Sequence, residues 1–347
     1  MKKITQLLVA AILLFLASSC KKDDSASTEE IKFSAPSNLP APTYDFSKNE
    51  VTQAGFALGR RLFYDPIFSR DSTISCGDCH ISYSAFSHVD HVTSHGIDGL
   101  LGKRNAPAVQ NMAWRTSFFW DGGVPNLDLV PLNAIQNPVE MDESPAKVVQ
   151  KLNRHAEYRA LFKKAFPEQD TVSGATMLKA LSQFMVMLVS ADSRYDKFVR
   201  GETGGTLSTD EIAGLNLFKQ KCATCHSTDL FTDQSFRNNG ILADFSNDSG
   251  RNLVSTFPDD IGKFAVPSLR NVEKTAPYMH NGKFKTLESI LDHYASGVKD
   301  SPTLDPLLKQ NGQLGIALTG TEKQQIIAFL KTLTDENFLR DARFQKP

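Results

Sequence analysis

The sequence predicts a mainly α-helical fold in two domains with long loops. Apolar residues recur at helical spacing in two separate stretches, and each stretch runs into a Cys-x-x-Cys-His motif. Alternating strand patterns are sparse, and the segments between the predicted helices are long. With 347 residues, of which 41% are hydrophobic and 22% charged, the chain can build two domains of ordinary size. The formal net charge of −1 gives no reason to expect nucleic acid as a partner.

The N-terminal region has the pattern of an export signal. Two lysines precede an apolar run at residues 7–16, which is too short to span a bilayer. Small residues then lead to Cys20, as in a bacterial lipoprotein signal, although the usual leucine stands one place early. We therefore predict a signal peptide over 1–20, a polar tether over 21–45 and a periplasmic protein anchored to a membrane only through lipid on Cys20. Ordinary secretion, with an unmodified cysteine, is the alternative.

The N-terminal half contains two predicted helices. Apolar spacing predicts the first over residues 53–63, ending before an Asp-Pro break. A long apolar helix is predicted over 175–199, mostly in the core. The glycine-rich segment at 201–205 is the predicted boundary between a domain at 46–203 and a domain at 204–347.

The C-terminal half repeats the arrangement. A helix is predicted to begin after Ser208, where Glu211 completes a capping box, and its apolar face leads to Cys222. Thr321 and Gln324 predict the cap of a last helix. The apolar positions behind that cap are Ile326, Ile327, Phe329, Leu330 and Leu333.

The two Cys-x-x-Cys-His motifs predict covalent attachment of haem. Two thiols one helical turn apart can each bond one vinyl group of the same porphyrin, and the adjacent histidine then faces the iron. Structural zinc would need ligands brought together from distant parts of the chain, and a redox dithiol would be expected beside a βαβ pattern. We therefore predict two class I cytochrome c-like domains, each carrying one covalent haem c. The motif residues are Cys76, Cys79 and His80, then Cys222, Cys225 and His226.

Three further stretches complete a resemblance to the bacterial diheme cytochrome c peroxidase family. They read GKRNAPAVQNMAW at 102–114, FFWDGG…NPVEM at 118–141 and TAPYMHNGKFKTLESILDHY at 275–294. The family includes the diheme enzyme that matures the tryptophylquinone cofactor of methylamine dehydrogenase. The resemblance implies that peroxide reacts at the N-terminal haem and that electrons from a donor protein arrive at the C-terminal haem.

The resemblance also implies roles for individual residues. Glu140 falls at the distal acid, which would move a proton during peroxide cleavage if burial raises its pKa; capping of a helix at 142–151 is the alternative. Trp120 falls at the tryptophan between the haems, where an indole can pass an electron, although it could equally be a core residue. Asn105, Thr275 and Pro277 fall on the ligands of an interhaem calcium ion, and Asn105 could instead be a turn residue.

Histidines near the first motif suggest a gate. His95 falls where several peroxidases place a removable histidine over the N-terminal haem iron, in a glycine-rich loop. His88 and His91 are expected to be solvent or loop histidines, and either could replace His95.

Two positions depart from the peroxidase pattern. Tyr294 stands where peroxidases usually have a methionine as the second axial ligand of the C-terminal haem iron, and a tyrosinate would lower the reduction potential. Met279 and His293 are the alternative ligands, and Tyr294 as a core residue is a further alternative. Val130 stands where a glutamine often supports the peroxide site, so one hydrogen-bonding group is missing.

The resulting expectation is a diheme cytochrome c peroxidase that reduces hydrogen peroxide to water. Its partners would be hydrogen peroxide and a small electron donor such as a cytochrome c or cupredoxin, and the resemblance also admits a homodimer. The first alternative is oxidation of a protein or small-molecule substrate through high-valent haem. The second is a non-enzymatic electron carrier in which each iron has two protein ligands.

Overall fold

A computed structural model describes residues 31–347. The predicted signal peptide, Cys20 and residues 21–30 of the predicted tether lie outside these residues. Residues 32–347 form one compact unit. Within the described residues, no helix is both long and apolar enough to cross a membrane.

The described chain is mainly helical, as predicted, and its strands are short. The strands form two antiparallel pairs, β1 with β2 and β3 with β4. The α-helices, in chain order, are α1 Gln53–Phe63, α2 Cys76–Cys79, α3 Val130–Gln136, α4 Pro145–Arg154, α5 Ala156–Ala165, α6 Gly174–Val186, α7 Arg194–Arg200, α8 Thr209–Lys221, α9 Asn252–Ser255, α10 Leu287–Asp292, α11 Gly320–Lys331 and α12 Glu336–Arg340. The strands are β1 Phe236–Arg237, β2 Phe264–Ala265, β3 Lys309–Gln310 and β4 Gln313–Leu314.

Helix α1 has the predicted bounds and packs closely on α6. The Thr52 side chain caps α1 by accepting a hydrogen bond from the Gly55 amide. A Cβ at Gly59 would lie 1.9 Å from the carbonyl oxygen of Ala180, so the two backbones approach each other at a position where only glycine fits. This contact holds the segment that leads to the first cysteine motif against the core.

The long helix predicted over 175–199 is wrong, because the chain forms two helices there. Helix α6 ends at Val186 and α7 begins at Arg194. The Asn111 side chain accepts a hydrogen bond from the Ser190 amide at 2.8 Å and donates one to the Ser190 carbonyl at 3.0 Å. These bonds replace the helical ones, and Ser193 with Asp196 then forms a capping box that starts α7.

The C-terminal half repeats the glycine contact between two helices. Helix α8 begins with the predicted capping box of Ser208 and Glu211, and it packs on α11. A Cβ at Gly214 would lie 1.9 Å from the carbonyl oxygen of Gln325. The predicted cap at Thr321 and Gln324 is wrong.

The capping box of α11 lies two residues earlier than predicted. It consists of Thr319 and Glu322. Both pairs match the same local pattern, and the earlier one lets the Glu322 carboxylate also bind Lys221 at the end of α8, at 2.7 Å. The predicted apolar positions of this helix are buried.

A buried ion pair joins the two halves of the chain. Arg270 donates to both carboxylate oxygens of Asp196 at 2.9 and 2.6 Å, and both side chains are 0% exposed. Burial alone would raise the pKa of Asp196, but the hydrogen bonds and charge of Arg270 outweigh it and lower that pKa. Gln110 donates to the Arg270 carbonyl at 2.7 Å, which adds a contact from the N-terminal half.

Candidate functional site

The first cysteine pair lies on a single helical turn. Helix α2 contains Cys76 and Cys79, and Ser75 with Asp78 forms its capping box. Both thiols are free and half-buried. Burial and the neighbouring Cys79 raise the pKa of Cys76 to about 12. A redox dithiol or a zinc site needs stabilised thiolates, so this environment favours neither.

The histidine of the first motif is oriented by the backbone. His80 Nδ1 lies 2.7 Å from the Phe86 carbonyl oxygen, so Nδ1 carries the proton and Nε2 keeps its lone pair. Loss of surrounding water lowers the pKa of His80 and favours the neutral imidazole. A neutral ring with a free Nε2 is the form that binds haem iron.

The second motif has the same arrangement. Cys222 ends helix α8, and His226 Nδ1 lies 3.0 Å from the Phe231 carbonyl oxygen. Burial raises the pKa of Cys222 to about 12 and lowers the pKa of His226. No group of three or more histidine, cysteine or acidic side chains among residues 31–347 could hold a metal ion such as zinc. Paired thiols and an oriented imidazole therefore fit covalent haem at both places.

Glu140 lies close to the first cysteine pair. It is half-buried, and loss of water raises its pKa, while a hydrogen bond from Asn137 Nδ2 at 2.7 Å lowers it in part. Its charge is close enough to raise the pKa of both Cys76 and Cys79. A carboxyl with a raised pKa beside the motif can accept or release a proton at higher pH than an exposed glutamate.

Glu140 does not cap the helix that follows it. The alternative expectation of a helix at 142–151 is wrong, because α4 begins at Pro145 with Ser144 as its cap. The backbone of Glu140 instead accepts a hydrogen bond from the Ile97 amide at 2.8 Å. A Cβ at Gly96 would lie 2.0 Å from the Val139 carbonyl oxygen. The loop that carries His95 is thereby packed against the backbone of Glu140.

The three loop histidines form a row of rings. His88 and His91 stack with ring centroids 4.5 Å apart, and His91 meets His95 edge-on at 5.3 Å. His88 is buried and its Nδ1 lies 2.8 Å from Ser94 Oγ, so it is not a solvent histidine. His91 and His95 are exposed. Of the three histidines, His95 directly precedes Gly96 in the sequence. The Gly96 backbone packs against Val139, next to Glu140.

Trp120 lies where the two halves meet. Its Nε1 donates to the Asn105 carbonyl oxygen at 2.8 Å, and its own carbonyl accepts a hydrogen bond from the Ala265 amide at 2.7 Å. The indole packs on an apolar cluster from the C-terminal half that includes Ile241 and Phe264. Trp120 is half-buried, and its contacts reach both halves.

Of the predicted calcium ligands, Asn105 lies near the segment that contains the other two, Thr275 and Pro277. The Asn105 amide donates to the His280 carbonyl at 2.8 Å, which places Asn105 beside the segment that contains Thr275 and Pro277. Asn105 Nδ2 donates to the carbonyls of His91 and Val92 at 3.3 and 3.2 Å. The amide nitrogen is therefore engaged, and the side-chain oxygen is the atom that suits a hard cation. Within residues 31–347, no hydrogen bond joins Asn105 to Thr275 or Pro277.

Tyr294 lies beside the second cysteine pair. It belongs to a π-helical segment, His293–Gly297, that directly follows α10, and such segments are frequent at functional sites. Tyr294 is half-buried, and burial raises its pKa to about 12, with the Cys225 and Cys222 thiols acting in the same direction. A nearby cation such as iron would oppose this effect and stabilise the tyrosinate.

Two asparagines at these sites were not predicted as site residues, although Asn137 belongs to the NPVEM stretch. Asn137 binds Glu140, and Asn239 lies between Met279, His293 and Tyr294. Each is a polar residue in a loop or at a helix end, and only the packing of distant segments gives it a role.

Comparisons with known proteins agree with this geometry. Residues 53–204 match the model of the di-haem cytochrome c peroxidase family. The chain is 34% identical over 312 residues to the methylamine utilization protein MauG of Methylorubrum extorquens, covering 88% of this chain and 84% of that protein. It is 34% identical over 287 residues to the cytochrome c551 peroxidase of Nitrosomonas europaea, covering 80% and 79% of the two chains.

A solved structure also resembles this chain in fold and sequence. The crystal structure of a MauG-like protein associated with microbial copper homeostasis matches with a TM-score of 0.82 and 34% identity, over 91% of this chain and 99% of that one. The predicted resemblance is confirmed, and membership of a di-haem family implies two haem c groups. This chain belongs to the di-haem cytochrome c peroxidase family.

Proposed function

We propose that the protein reduces hydrogen peroxide to water, with electrons from a small donor such as a cytochrome c or cupredoxin. The observation that carries the proposal is the half-buried Glu140 beside the first cysteine pair. The overall reaction takes one peroxide, two protons and two electrons and releases two waters.

Each cysteine motif holds one haem in this proposal. Cys76 and Cys79 bind the first haem covalently and Cys222 and Cys225 the second, while His80 and His226 present Nε2 to the irons. Bound haem iron supplies the redox chemistry of peroxide cleavage. The chain's own contribution is to fix the tautomer of both histidines through the carbonyls of Phe86 and Phe231.

Glu140 is the proton-transfer residue of the proposed reaction. It would accept a proton from one peroxide oxygen and return it to the other, which leaves as water. Asn137 holds the carboxylate in place through its 2.7 Å hydrogen bond, which also lowers the pKa of Glu140 in part. Val130, in the position of a frequent glutamine, adds no polar group, so Glu140 and Asn137 carry the proton chemistry.

Electrons travel from the C-terminal site to the N-terminal site. We place Trp120 on this path because its indole contacts both halves through Asn105 and the Ile241–Phe264 cluster. A calcium ion held by Asn105 Oδ1 and the carbonyls of Thr275 and Pro277 would support the same junction. Its removal by a chelator should slow the transfer of electrons between the two sites.

His95 would control access to the first site. Its loop packs on the Glu140 backbone, so release of His95 would change the space in front of that carboxyl. The proposal places this enzyme in the periplasm, held by lipid on Cys20, a residue outside the described structure.

A second candidate function is oxidation of a protein or small-molecule substrate. Tyr294, where peroxidases usually have methionine, favours it, since a tyrosine is a feature of the tryptophylquinone-maturing enzyme. Slow peroxide consumption together with a trapped substrate that is modified only when peroxide is present would select this function.

Peroxide turnover by the protein with both haems loaded tests the main proposal. A reduced cytochrome c serves as the donor, and oxidation of two donor molecules per peroxide is expected. Glu168→Gln, at an exposed glutamate, is the control variant and should leave the rate unchanged. Absence of turnover with both haems in place would contradict the proposal.

A further inference from the structure

One asparagine contacts all three side chains that could complete the coordination of the C-terminal haem iron. Asn239 Nδ2 donates to Met279 Sδ at 3.2 Å, and its backbone carbonyl lies 3.0 Å from His293 Nε2. Its side chain is also close enough to Tyr294 to lower the pKa of that phenol. The three candidates are therefore not equally free to bind a metal.

One nitrogen of His293 is engaged by the backbone. Its Nε2 donates to the Asn239 carbonyl at 3.0 Å, and a nitrogen that carries this proton has no lone pair for iron. The Nε2 atom of His293 is therefore unavailable to iron in this arrangement.

Met279 is held away by two sets of contacts. The Asn239 amide occupies one lone pair of the thioether sulfur. The side chain also packs on the apolar cluster around Trp120, whereas Tyr294 packs on a separate cluster that contains Val298 and Leu304.

Tyr294 keeps a metal-binding atom. A phenolate oxygen has several lone pairs, so a polar neighbour such as the Asn239 side chain can stabilise the anion while a lone pair binds the iron. The backbone around Tyr294 is also fixed, since its carbonyl accepts a hydrogen bond from the Ile316 amide at 2.7 Å.

The loop that carries Asn239 is rigid. The neighbouring Asn238 is fully buried, and its side chain donates to Ser301 and Thr303 Oγ atoms, each at 2.9 Å, while its Oδ1 accepts from the Gly240 amide. These bonds fix the backbone on both sides of Asn239 and so the direction of its side chain.

We propose that Asn239 is the positioning residue that selects Tyr294 as the second axial ligand, by engaging the Met279 sulfur and the His293 Nε2. The inference rests on the proposed function, because it takes the C-terminal motif as a haem site. It adds a residue that sets the ligand and, through the ligand, the reduction potential of that haem. Tyrosinate stabilises ferric iron and lowers the potential, and methionine does the opposite.

Spectra and potentiometry of the purified protein with both haems loaded test the inference. The wild type is expected to show tyrosinate-to-iron bands by resonance Raman and a low potential at the C-terminal haem. Asn239→Ala frees the Met279 sulfur, so we expect partial loss of the tyrosinate bands, appearance of a methionine-to-iron band and an upward shift of that potential. Combining Asn239→Ala with Met279→Leu removes the competing sulfur and should restore tyrosinate as the only added ligand.

Two further variants keep the test decisive. Asn239→Asp preserves shape but replaces the donor with an acceptor, so it should reproduce the alanine effect if the alanine variant loads haem poorly. Asn247→Ala, at an exposed asparagine of the following loop, should match the wild type. Unchanged bands and potential in Asn239→Ala and Asn239→Asp would overturn the inference. Methionine or histidine ligation in the wild type would also overturn it, while peroxide turnover judges the proposed function separately.

Discussion

At the residue scale, the chemistry depends on side chains whose environment differs from that of their ordinary counterparts. Loss of water raises the pKa of Glu140, and a single hydrogen bond from Asn137 limits that increase. Loss of water also keeps His80 and His226 neutral, and backbone carbonyls fix their tautomers. These environments allow one carboxyl to handle protons and two imidazoles to act as metal ligands.

Asn137→Ala should shift the pH profile of peroxide turnover. Glu140 must be ionised to accept a proton, so activity rises as the pH increases through its pKa. Removal of the Asn137 amide removes an interaction that lowers this pKa, and the acidic limb of kcat/KM should therefore move to higher pH. Asn133→Ala, at an exposed residue of α3, is the control. An acidic limb at the wild-type pH would show that Asn137 does not act on Glu140.

Trp120→Phe should slow electron transfer between the two sites. The substitution keeps an aromatic ring but removes the 2.8 Å hydrogen bond to the Asn105 carbonyl, which is worth about 0.5–1.5 kcal/mol. We expect a slower transfer rate, because the indole that contacts both halves of the chain is removed. Stopped-flow reduction of the C-terminal site followed by reoxidation with peroxide measures it. A rate equal to that of the wild type would remove Trp120 from the path.

At the element scale, each cysteine motif follows a helix held by one glycine. Gly59 on α1 meets the backbone of α6, and Gly214 on α8 meets the backbone of α11, each with no room for a Cβ. In both halves of the chain, a helix that precedes the cysteine motif is held against a second helix by a close contact at a glycine.

Gly59→Ala should destabilise the fold. The new Cβ would lie 1.9 Å from a backbone oxygen of α6, so the helices must separate, at a cost of about 1–3 kcal/mol. Gly214→Ala should give a similar loss for the same reason. Gly174→Ala is the matched control, because no atom lies within 4 Å of its Cβ position, and it should stabilise by about 0.4–1 kcal/mol. Thermal unfolding of the three variants checks this, and equal melting temperatures would refute the packing argument.

Local signals explain which elements could be predicted. Helices α1 and α8 were predictable because both show clear apolar spacing, and the capping box at Ser208 marks the start of α8. The break between α6 and α7 was not, because Asn111, far away in the sequence, supplies the hydrogen bonds that end the helical ladder. The cap of α11 was ambiguous, because two overlapping pairs fit the same pattern and a contact with α8 favours the first.

The residues of the candidate site also fall into two groups, those that the sequence alone could identify and those that it could not. The cysteines and histidines of both motifs carry their chemistry in the sequence, and the environment of Glu140 agrees with its predicted role, which itself stays a prediction. Asn137 and Asn239 could not be found, because an asparagine gains such a role only from groups that folding brings to it. The proximity of His95 to Glu140 depends likewise on packing around Gly96.

At the scale of the whole molecule, the Arg270–Asp196 pair holds the halves together. Arg270→Met would leave the Asp196 carboxylate buried without its partner, and we expect a loss of about 3–5 kcal/mol. The control is Lys309→Met, which breaks a half-exposed pair with Asp300 and should cost about 0–1 kcal/mol. Denaturant unfolding compares them, and equal losses would show that the buried pair has no special role.

Because of the Arg270–Asp196 pair, we expect the free energy of unfolding to depend on pH. Because the folded pKa of Asp196 is lowered, its contribution is complete above the unfolded value of about 3.9. That contribution is lost as the pH falls through the lower folded value. Arg270→Met should therefore lose less stability than the wild type between pH 5 and strongly acidic pH. A wild-type acid profile in the variant would argue against this coupling.

The central claim is that Glu140 carries the proton chemistry of peroxide reduction at the first site. Glu140→Gln keeps the shape of the side chain but cannot accept a proton, so kcat for peroxide should fall by about 10²–10⁴-fold. The absorption spectrum should still show two bound haems. A variant with both haems and a wild-type kcat would contradict the claim.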